Sequence, residues 1–273
     1  MYQGNIEVKG TLKTEGTMTR WIRLIVVASL MTGCIARFEA ANPPLKRTTQ
    51  NTEFMLSFDD GPLPDKTERV LDILATLMAI DGTPVKAGFF LLADSPDDFW
   101  QQQKYYAPYE LWTDKGSMTK YPNIARLISL AGHTIGNHST HHGWVQWPWL
   151  DTSDAVLQDF TEWEAISNQV VGASSVRLFR PPYLVLSTTL RETARQLGYQ
   201  IVLGEVVDDA IPGITVAEIK NKTVSILTAW NESYPCVLIF HDNRPTTYQH
   251  LGEIVSHLQQ QGFRLVHFDS KRL

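Results

Sequence analysis

Strand-like and helix-like segments alternate along most of this chain, and this alternation limits its fold more than any other feature of the sequence. Residues 54–58 are a short apolar run that ends in an Asp-Asp-Gly-Pro loop, as a buried strand does at a sharp turn. Apolar residues then recur at helical spacing over 70–78, and a second strand-like run covers 85–92. Strands that alternate with helices favour crossover connections, so the pattern predicts a parallel sheet.

The same alternation continues to the end of the sequence. Helices are predicted over 121–131, 151–170, 187–198, 215–230 and 246–261, and strands over 133–137, up to Arg180, and over 201–207, 237–240 and 263–268. About seven strand-helix units predict an α/β fold, a deformed (β/α) barrel with a single catalytic domain, and spacing alone leaves an open sheet as the alternative. Residues 93–120 interrupt the alternation, and a segment of that length is usually functional or has local structure of its own.

The balance of charged residues argues against a surface for nucleic acid. The chain has 24 Lys and Arg against 29 Asp and Glu, a net charge of −5, whereas surfaces that bind nucleic acid carry a basic stripe. Hydrophobic residues make up 43% of the chain and charged residues 19%, which is enough apolar material for a folded core. Only Cys236 lies beyond the N-terminal segment, so no internal disulfide framework is expected.

The first 41 residues differ from the rest, and we assign them to an N-terminal extension with an export segment, ahead of one domain over 42–273. Arg20 and Arg23 precede an apolar run over 24–34. A basic flank before about 7–15 apolar residues has the form of a secretory signal and is shorter than the roughly 20 residues of a membrane span. The sequence therefore predicts an exported protein of the periplasm or cell envelope.

Two details of this segment leave alternatives open. Residues 30–34 read Leu-Met-Thr-Gly-Cys, which resembles a bacterial lipobox in which the cysteine, here Cys34, is lipidated and anchors the protein to a membrane. A cleaved signal without lipid, or a short apolar anchor, is the other interpretation. Met18 stands just ahead of the basic flank, so translation starts at either Met1 or Met18.

Acidic and histidine side chains follow two of the predicted strands. Asp59 and Asp60 come directly after the first strand, on the face of a parallel barrel where active sites form. Two adjacent carboxylates there point in different directions, so one can bind a metal while the other moves protons, although the tetrapeptide alone could be a plain turn. His138 and His142 stand four residues apart, and we expect them on one face of a helical turn, holding a single ion.

This set of residue types is typical of a catalytic zinc site. Two imidazoles and one carboxylate leave coordination positions open for water and substrate. His133 and His141 compete as ligands, but neither has a partner four residues away. A solvated histidine cluster is the alternative without a metal.

Two further strand ends carry polar groups. Arg180 precedes Pro-Pro-Tyr183, where paired prolines fix the backbone and can hold a main-chain N–H in place while the guanidinium binds a carboxylate. His241 ends the apolar run 237–240, at a position suited to a general acid. Either residue alone could be structural, since an arginine at a barrel rim often only closes a salt bridge.

Together these segments resemble the NodB-like polysaccharide deacetylases, carbohydrate esterase family four. The matching stretches, in the family's order, are Ser57-Phe-Asp-Asp-Gly-Pro62, Gly136-Asn-His-Ser-Thr-His-His142, Arg180-Pro-Pro-Tyr183 and Leu238-Ile-Phe-His241. The resemblance covers residues 54–268. It implies a deformed barrel, a divalent metal that is usually zinc, with cobalt as the second choice, and removal of acetyl groups from N-acetylated or O-acetylated sugars.

The resemblance also implies a role for each matching residue. Asp59 would be the catalytic base, Arg180 would orient it, His241 would be the acid, the backbone N–H of Tyr183 would complete the oxyanion site, and Asp60, His138 and His142 would be the metal ligands. The chemistry agrees with these roles, because an amide carbonyl is a poor electrophile that a metal can polarise. Asp59 would then take a proton from water, and protonated His241 would give one to the departing nitrogen.

One motif departs from the family. Between the Arg-Pro-Pro-Tyr and Leu-to-His segments the family carries Asp-x-x-Asp-Trp, whose second Asp supports the acid histidine. Residues 203–212, the equivalent region of this chain, contain no tryptophan. We assign the supporting role to Asp208, which keeps the acid spacing from Glu205, while Asp209 is placed equally well. The missing tryptophan would change the wall of a sugar cleft rather than the chemistry.

The predicted function is therefore metal-dependent removal of acetyl groups from a polysaccharide, with a cell-envelope glycan as substrate and partner. A sugar-binding pseudoenzyme is one alternative, and retention of Asp59 and His241 argues against it. A metal-dependent hydrolase of another amide, such as a formamido sugar, is the second alternative. Peptidoglycan, chitin-like oligomers, poly-N-acetylglucosamine and acetylated xylan all remain open as the glycan.

Overall fold

A curved sheet of eight parallel strands lies at the centre of the computed structural model, which describes residues 51–94, 116–142, 151–172 and 177–273. The strands are β1 Glu53–Asp59, β2 Gly88–Leu91, β3 Thr134–Asn137, β4 Leu178–Phe179, β5 Gln200–Ile201, β6 Glu205–Val206, β7 Cys236–His241 and β8 Arg264–Leu265. Their order is β5-β4-β3-β2-β1-β7-β6, and β8 pairs with the start of β1. The export segment, Cys34 and the boundary between residues 41 and 42 lie outside the described residues and stay predictions.

The described residues contain six α-helices between the strands. The first begins four residues before the helical pattern over 70–78, and the other five lie within two residues of their predicted bounds. The six helices are α1 Lys66–Thr76, α2 Pro122–Leu130, α3 Ser153–Val170, α4 Thr188–Gln196, α5 Val216–Ala229 and α6 Pro245–Gln260, with short 3₁₀ segments at Pro182–Leu184 and Ser270–Arg272. Local chemistry sets several starts: α2 and α6 begin at a proline, and Thr215 and Glu218 form a capping box on α5. None of the helices in the described part of the chain is long and apolar enough to cross a membrane.

The predicted strand over 201–207 is wrong in one respect, because the structure divides it into β5 and β6. Ile201 in β5 pairs with β4 at one edge of the sheet, whereas Glu205 and Val206 in β6 pair with β7 at the other edge. The chain crosses between the two edges at 202–204, and no ladder joins β5 to β6 within the described residues. The result is a deformed, incompletely closed barrel, which confirms the predicted fold class.

Alternation along the strands separates an outer core from the barrel interior. On β1, Phe54, Leu56 and Phe58 pack outward against the helices, while Met55 belongs to the interior cluster. That interior cluster contains Met55, Phe90, Leu178, Val202, Val237, Val266 and Phe268. By the same alternation, Ser57 and Asp59 on β1 also face the interior, and Asp59 does so at the carboxyl end of the strand.

Candidate active site

Polar side chains from four strands of the sheet meet at the carboxyl end of the barrel. Asp59 ends β1, His241 ends β7, and Arg180 and His138 directly follow β4 and β3. β1 and β7 pair in a register that sets Asp59 beside His241. A cavity of about 250 Å³ opens there, lined by Asp59, Asp60, His138, His142, Tyr183, Leu184, Val206, Ala210, Ile239, His241 and Arg244.

The three residues predicted to bind metal form one buried cluster. Asp60 Oδ1 lies 3.3 Å from His142 Nε2 and 3.6 Å from His138 Nε2. One ligand atom from each residue can be chosen so that all three lie within 4.8 Å of one another. His138 Nδ1 donates a hydrogen bond to the Arg180 carbonyl at 2.9 Å, which leaves the lone pair on Nε2 for the cluster. A carboxylate and two imidazoles in this arrangement fit a divalent cation of the zinc type.

The expected helical turn between His138 and His142 is wrong, although the two rings do meet. The ring centroids are 5.0 Å apart, but the segment is a loop in which Ser139 and His142 have φ values of 73° and 60°. A right-handed helix needs negative φ at both positions. The loop is held locally, because Asn137 Oδ1 accepts the Ser139 N–H at 2.6 Å and Ser139 Oγ accepts the His142 N–H at 2.7 Å.

Arg180 holds Asp59 in a fully buried ion pair. Its Nη1 lies 2.6 Å from Asp59 Oδ1 and also donates to Ser57 Oγ at 3.0 Å, while its Nε donates to the Val202 carbonyl at 3.2 Å. The guanidinium stacks on the Phe90 ring at 3.9 Å. Burial lowers the pKa of Arg180, and the charge of Asp59 opposes that shift. The pair fixes one oxygen of Asp59, while the other, Oδ2, faces His138 Nε2 at 3.8 Å.

His241 is held by Asp209 at the end of β7, next to Asp59. Asp209 Oδ1 lies 2.7 Å from His241 Nδ1, and Asp209 Oδ2 accepts the His241 backbone N–H at 2.7 Å and the Thr247 hydroxyl at 2.6 Å. Burial alone would lower the pKa of His241, but the Asp209 carboxylate, with smaller contributions from Asp60 and Asp59, raises it to about 9. The imidazole therefore carries its second proton at neutral pH.

The assignment of this supporting position to Asp208 is wrong. Asp208 points away from His241 and forms an ion pair with Lys222 at 2.9 Å, with 34% of its side chain exposed. β6 ends at Val206, and Asp208 has a φ of 67°, so the chain turns before the strand alternation can bring Asp208 into the cavity. Asp209, the alternative that the sequence left open, is the residue that contacts His241.

Tyr183 lies at the rim of the cavity in a left-handed backbone conformation. Its φ is 57°, and its ring packs edge-on against His142 with centroids 4.6 Å apart. The role of its backbone N–H as an oxyanion donor stays a prediction. Arg244 also lines the cavity, and no sequence motif marked it; it stands three residues beyond His241, so its position at the strand-to-helix junction was the only available signal.

Comparison with known proteins shows similarity across most of the chain. The family model described as polysaccharide deacetylase matches residues 46–202. A peptidoglycan-N-acetylglucosamine deacetylase of Bacillus cereus is 28% identical over 219 residues, covering 77% of this chain and 84% of that protein. A chitooligosaccharide deacetylase of Azorhizobium caulinodans is 25% identical, covering 80% of this chain and 94% of that protein.

A solved structure shares the arrangement of strands and helices. A family 4 acetyl xylan esterase from Clostridium thermocellum, solved in complex with a cobalt ion, superimposes with a TM-score of 0.55. The two chains are 24% identical, and the alignment covers 79% of this chain and 87% of the esterase. A likeness at this level of identity supports the fold.

Proposed function

The chain belongs to the polysaccharide deacetylase family, and on that premise we propose that it is a metal-dependent hydrolase that removes acetyl groups from N-acetylated sugars of a cell-envelope glycan. One observation carries the proposal. Asp59, held by Arg180, and His241, held by Asp209, lie side by side and line one cavity together with the Asp60 cluster. A base and an acid therefore face the same reaction volume.

Asp59 acts on the side of the attacking water. Arg180 holds its Oδ1 at 2.6 Å, which leaves Oδ2 toward the cavity to accept a proton. When bound by Asp60, His138 and His142, a divalent cation supplies Lewis-acid polarisation of the acetyl carbonyl and acidifies water. The Tyr183 N–H is proposed as a further donor to the developing oxyanion.

His241 acts on the side of the leaving group. With a pKa of about 9, its imidazole is protonated through neutral pH. Because Nδ1 donates to Asp209, the proton available for transfer is the one on Nε2. Its transfer to the nitrogen lets an amine leave instead of an amide anion, as a general acid should.

Zinc is the proposed metal, and cobalt is the second choice, because an oxygen and two imidazole nitrogens suit both ions. The proposed substrate is a glycan with N-acetylglucosamine residues, since the similar proteins are named for peptidoglycan and chitooligosaccharide. O-acetylated sugars and formamido sugars are outcomes that the same assay would reveal.

The test is release of acetate by the purified full chain, first stripped of metal with a chelator and then given back zinc or cobalt. Peptidoglycan, chitooligosaccharides, acetylated xylan and a formamido sugar are compared as substrates. We expect no release after chelation, recovery with either metal, and loss of both metal binding and turnover in His138→Ala. His250→Ala, a change at an exposed position on α6, is the matched control and should behave as the wild type. Wild-type turnover with stoichiometric metal in His138→Ala would show that the ligand set is wrong.

We further propose that the chain is exported and anchored through a lipid on Cys34. The basic flank and apolar run that end at Cys34 support this placement. In a bacterial host the wild type should be found in the membrane fraction, and Cys34→Ala should be exported in soluble form. Soluble export of both proteins would refute the lipid anchor, and retention of both in the cytoplasm would refute export.

A further inference from the structure

Asp242, the residue after His241, takes no part in the mechanism above, yet it lies buried beside the candidate metal cluster. Its side chain is fully buried, and its Oδ2 accepts a hydrogen bond from the Thr67 hydroxyl at 2.6 Å. The same Thr67 oxygen accepts the backbone N–H of Leu63 at 2.8 Å. A continuous chain of hydrogen bonds therefore joins the end of β7 to the loop that leaves β1.

The Asp242 carboxylate also packs directly on Gly61. A Cβ atom added to Gly61 would lie 2.3 Å from Asp242 Oδ2 and 2.9 Å from Asp242 Oδ1, far inside van der Waals contact. Gly61 is the residue after Asp60, so the carboxylate touches the backbone immediately beside a candidate metal ligand. Only glycine leaves room for this contact.

The backbone of Asp60 needs such support. Its φ of 73° lies in the left-handed region, which a residue with a Cβ adopts only when its surroundings hold it there. The Asp60 carbonyl accepts the N–H of Gly116 at 3.2 Å, and the Gly61 carbonyl accepts the N–H of Leu92 at 3.3 Å. On the other side, Asp242 after β7 contacts Gly61, and Thr67 in α1 binds the backbone of Leu63.

We propose that Asp242 and Thr67 are positioning residues for the metal cluster. Their hydrogen bond holds the loop 60–63 in the conformation that directs the Asp60 carboxylate toward His138 and His142. The proposal rests on the proposed binding of a divalent cation. It requires an acceptor at 242 and a hydroxyl at 67, so variants that keep the hydrogen bond should keep the metal affinity.

The test measures zinc affinity by competition with a chromogenic chelator, and the visible absorption spectrum of the cobalt-substituted protein. Thr67→Val keeps the shape of the side chain and loses the hydroxyl, and Asp242→Ala loses the acceptor; each should lower zinc affinity about ten- to a hundredfold and shift the cobalt bands. Thr67→Ser and Asp242→Asn keep the hydrogen bond and should restore affinity to within about threefold of wild type. The double variant Thr67→Val with Asp242→Ala should lose less than the sum of the two single losses, because the Thr67–Asp242 hydrogen bond is removed in all three.

Thr223→Val is the matched control. Thr223 is also a fully buried threonine, but within the described residues its hydroxyl bonds only to carbonyls of its own helix, α5. It should bind zinc as the wild type does, even if it is less stable. Circular dichroism establishes whether each variant is folded. If Thr67→Val is unfolded, the zinc affinity and cobalt spectrum of Asp242→Ala decide the test.

Three results would overturn the proposal. Wild-type zinc affinity and cobalt spectra in Thr67→Val and Asp242→Ala would refute the positioning role alone. An equal loss in Thr223→Val would show a general effect of stability. Absence of zinc binding by the wild type in the same titration would instead refute the proposed function, and the positioning role with it.

Discussion

Replacement of Asp209 by asparagine should move the alkaline limit of activity. Asp209 Oδ1 lies 2.7 Å from His241 Nδ1, and its charge is the main contribution that raises the pKa of His241 to about 9 against the opposing effect of burial. Asparagine keeps an oxygen acceptor at this position and removes the charge. We therefore expect the pKa of His241 to fall by about 2 units, which corresponds to roughly 2.7 kcal/mol less stabilisation of the imidazolium.

The effect on rate follows from the protonated fraction of His241. A general acid works below its pKa, and its activity is lost as the pH rises through that pKa. At about pH 8, His241 is roughly nine-tenths protonated with a pKa of 9 and roughly one-tenth protonated with a pKa of 7. kcat/KM for acetate release should therefore fall about tenfold at that pH and change little near pH 6, in a profile recorded with saturating zinc.

Asp208→Asn is the control for this experiment. Asp208 forms an ion pair with Lys222 on the surface, so its replacement should leave the alkaline limb in place. An alkaline limb that does not move in Asp209→Asn would refute the assignment of Asp209 as the support of the acid. Equal shifts in the two variants would refute the local electrostatic argument.

Three further predictions concern the other buried groups of the site. Arg180→Met leaves the Asp59 carboxylate buried without its cation, so the free energy of unfolding in denaturant should fall by about 3–5 kcal/mol; a loss no larger than that of an exposed substitution such as His250→Ala would contradict this cause. Gly61→Ala places a methyl group on the Asp242 carboxylate and should cost about 1–3 kcal/mol, which Asp242→Ala in the same chain should largely recover when thermal unfolding is followed; additive losses would contradict the overlap. His241→Ala should lose most of its rate on an N-acetylated sugar and far less on an activated aryl acetate, whose leaving group needs no proton; equal losses on both substrates would rule out a general acid.

The fold was largely predictable because the spacing of hydrophobic residues along the sequence shows which side of each helix or strand is buried. Each predicted helix has a single apolar face, and its bounds follow from local chemistry such as the capping box at Thr215. The division of 201–207 into β5 and β6 could not be predicted in the same way. Both halves are equally strand-like, and only the pairing with β4 or β7, which depends on distant sequence, separates them.

The strand ends of the site were predictable for a related reason. Side chains alternate between the two faces of β1 and β7, so Asp59 and His241 face the barrel interior independently of the conformation of the surrounding loops. Loop conformation was not predictable, because left-handed residues such as Ser139 and Asp208 leave no periodic signal. For that reason the spacing of His138 and His142 predicts a helical turn that the structure lacks. For the same reason the sequence assigns the contact with His241 to Asp208, whereas Asp209 makes it.

The pairing of β1 has a consequence for how fast this chain can fold. β1 lies between β7 on one side and β2 and β8 on the other, and the hydroxyl of Ser57 on β1 bonds to the Leu238 carbonyl across 181 residues of sequence. Contacts of such high separation require a long loop to close before any of them can form, and folding slows as their share rises. The candidate active site needs both β1 and β7, because Asp59 and His241 are the last pair of residues in the register of these two strands. Catalytic competence should therefore be acquired late in folding, after the sheet has joined its first strand to its last ones.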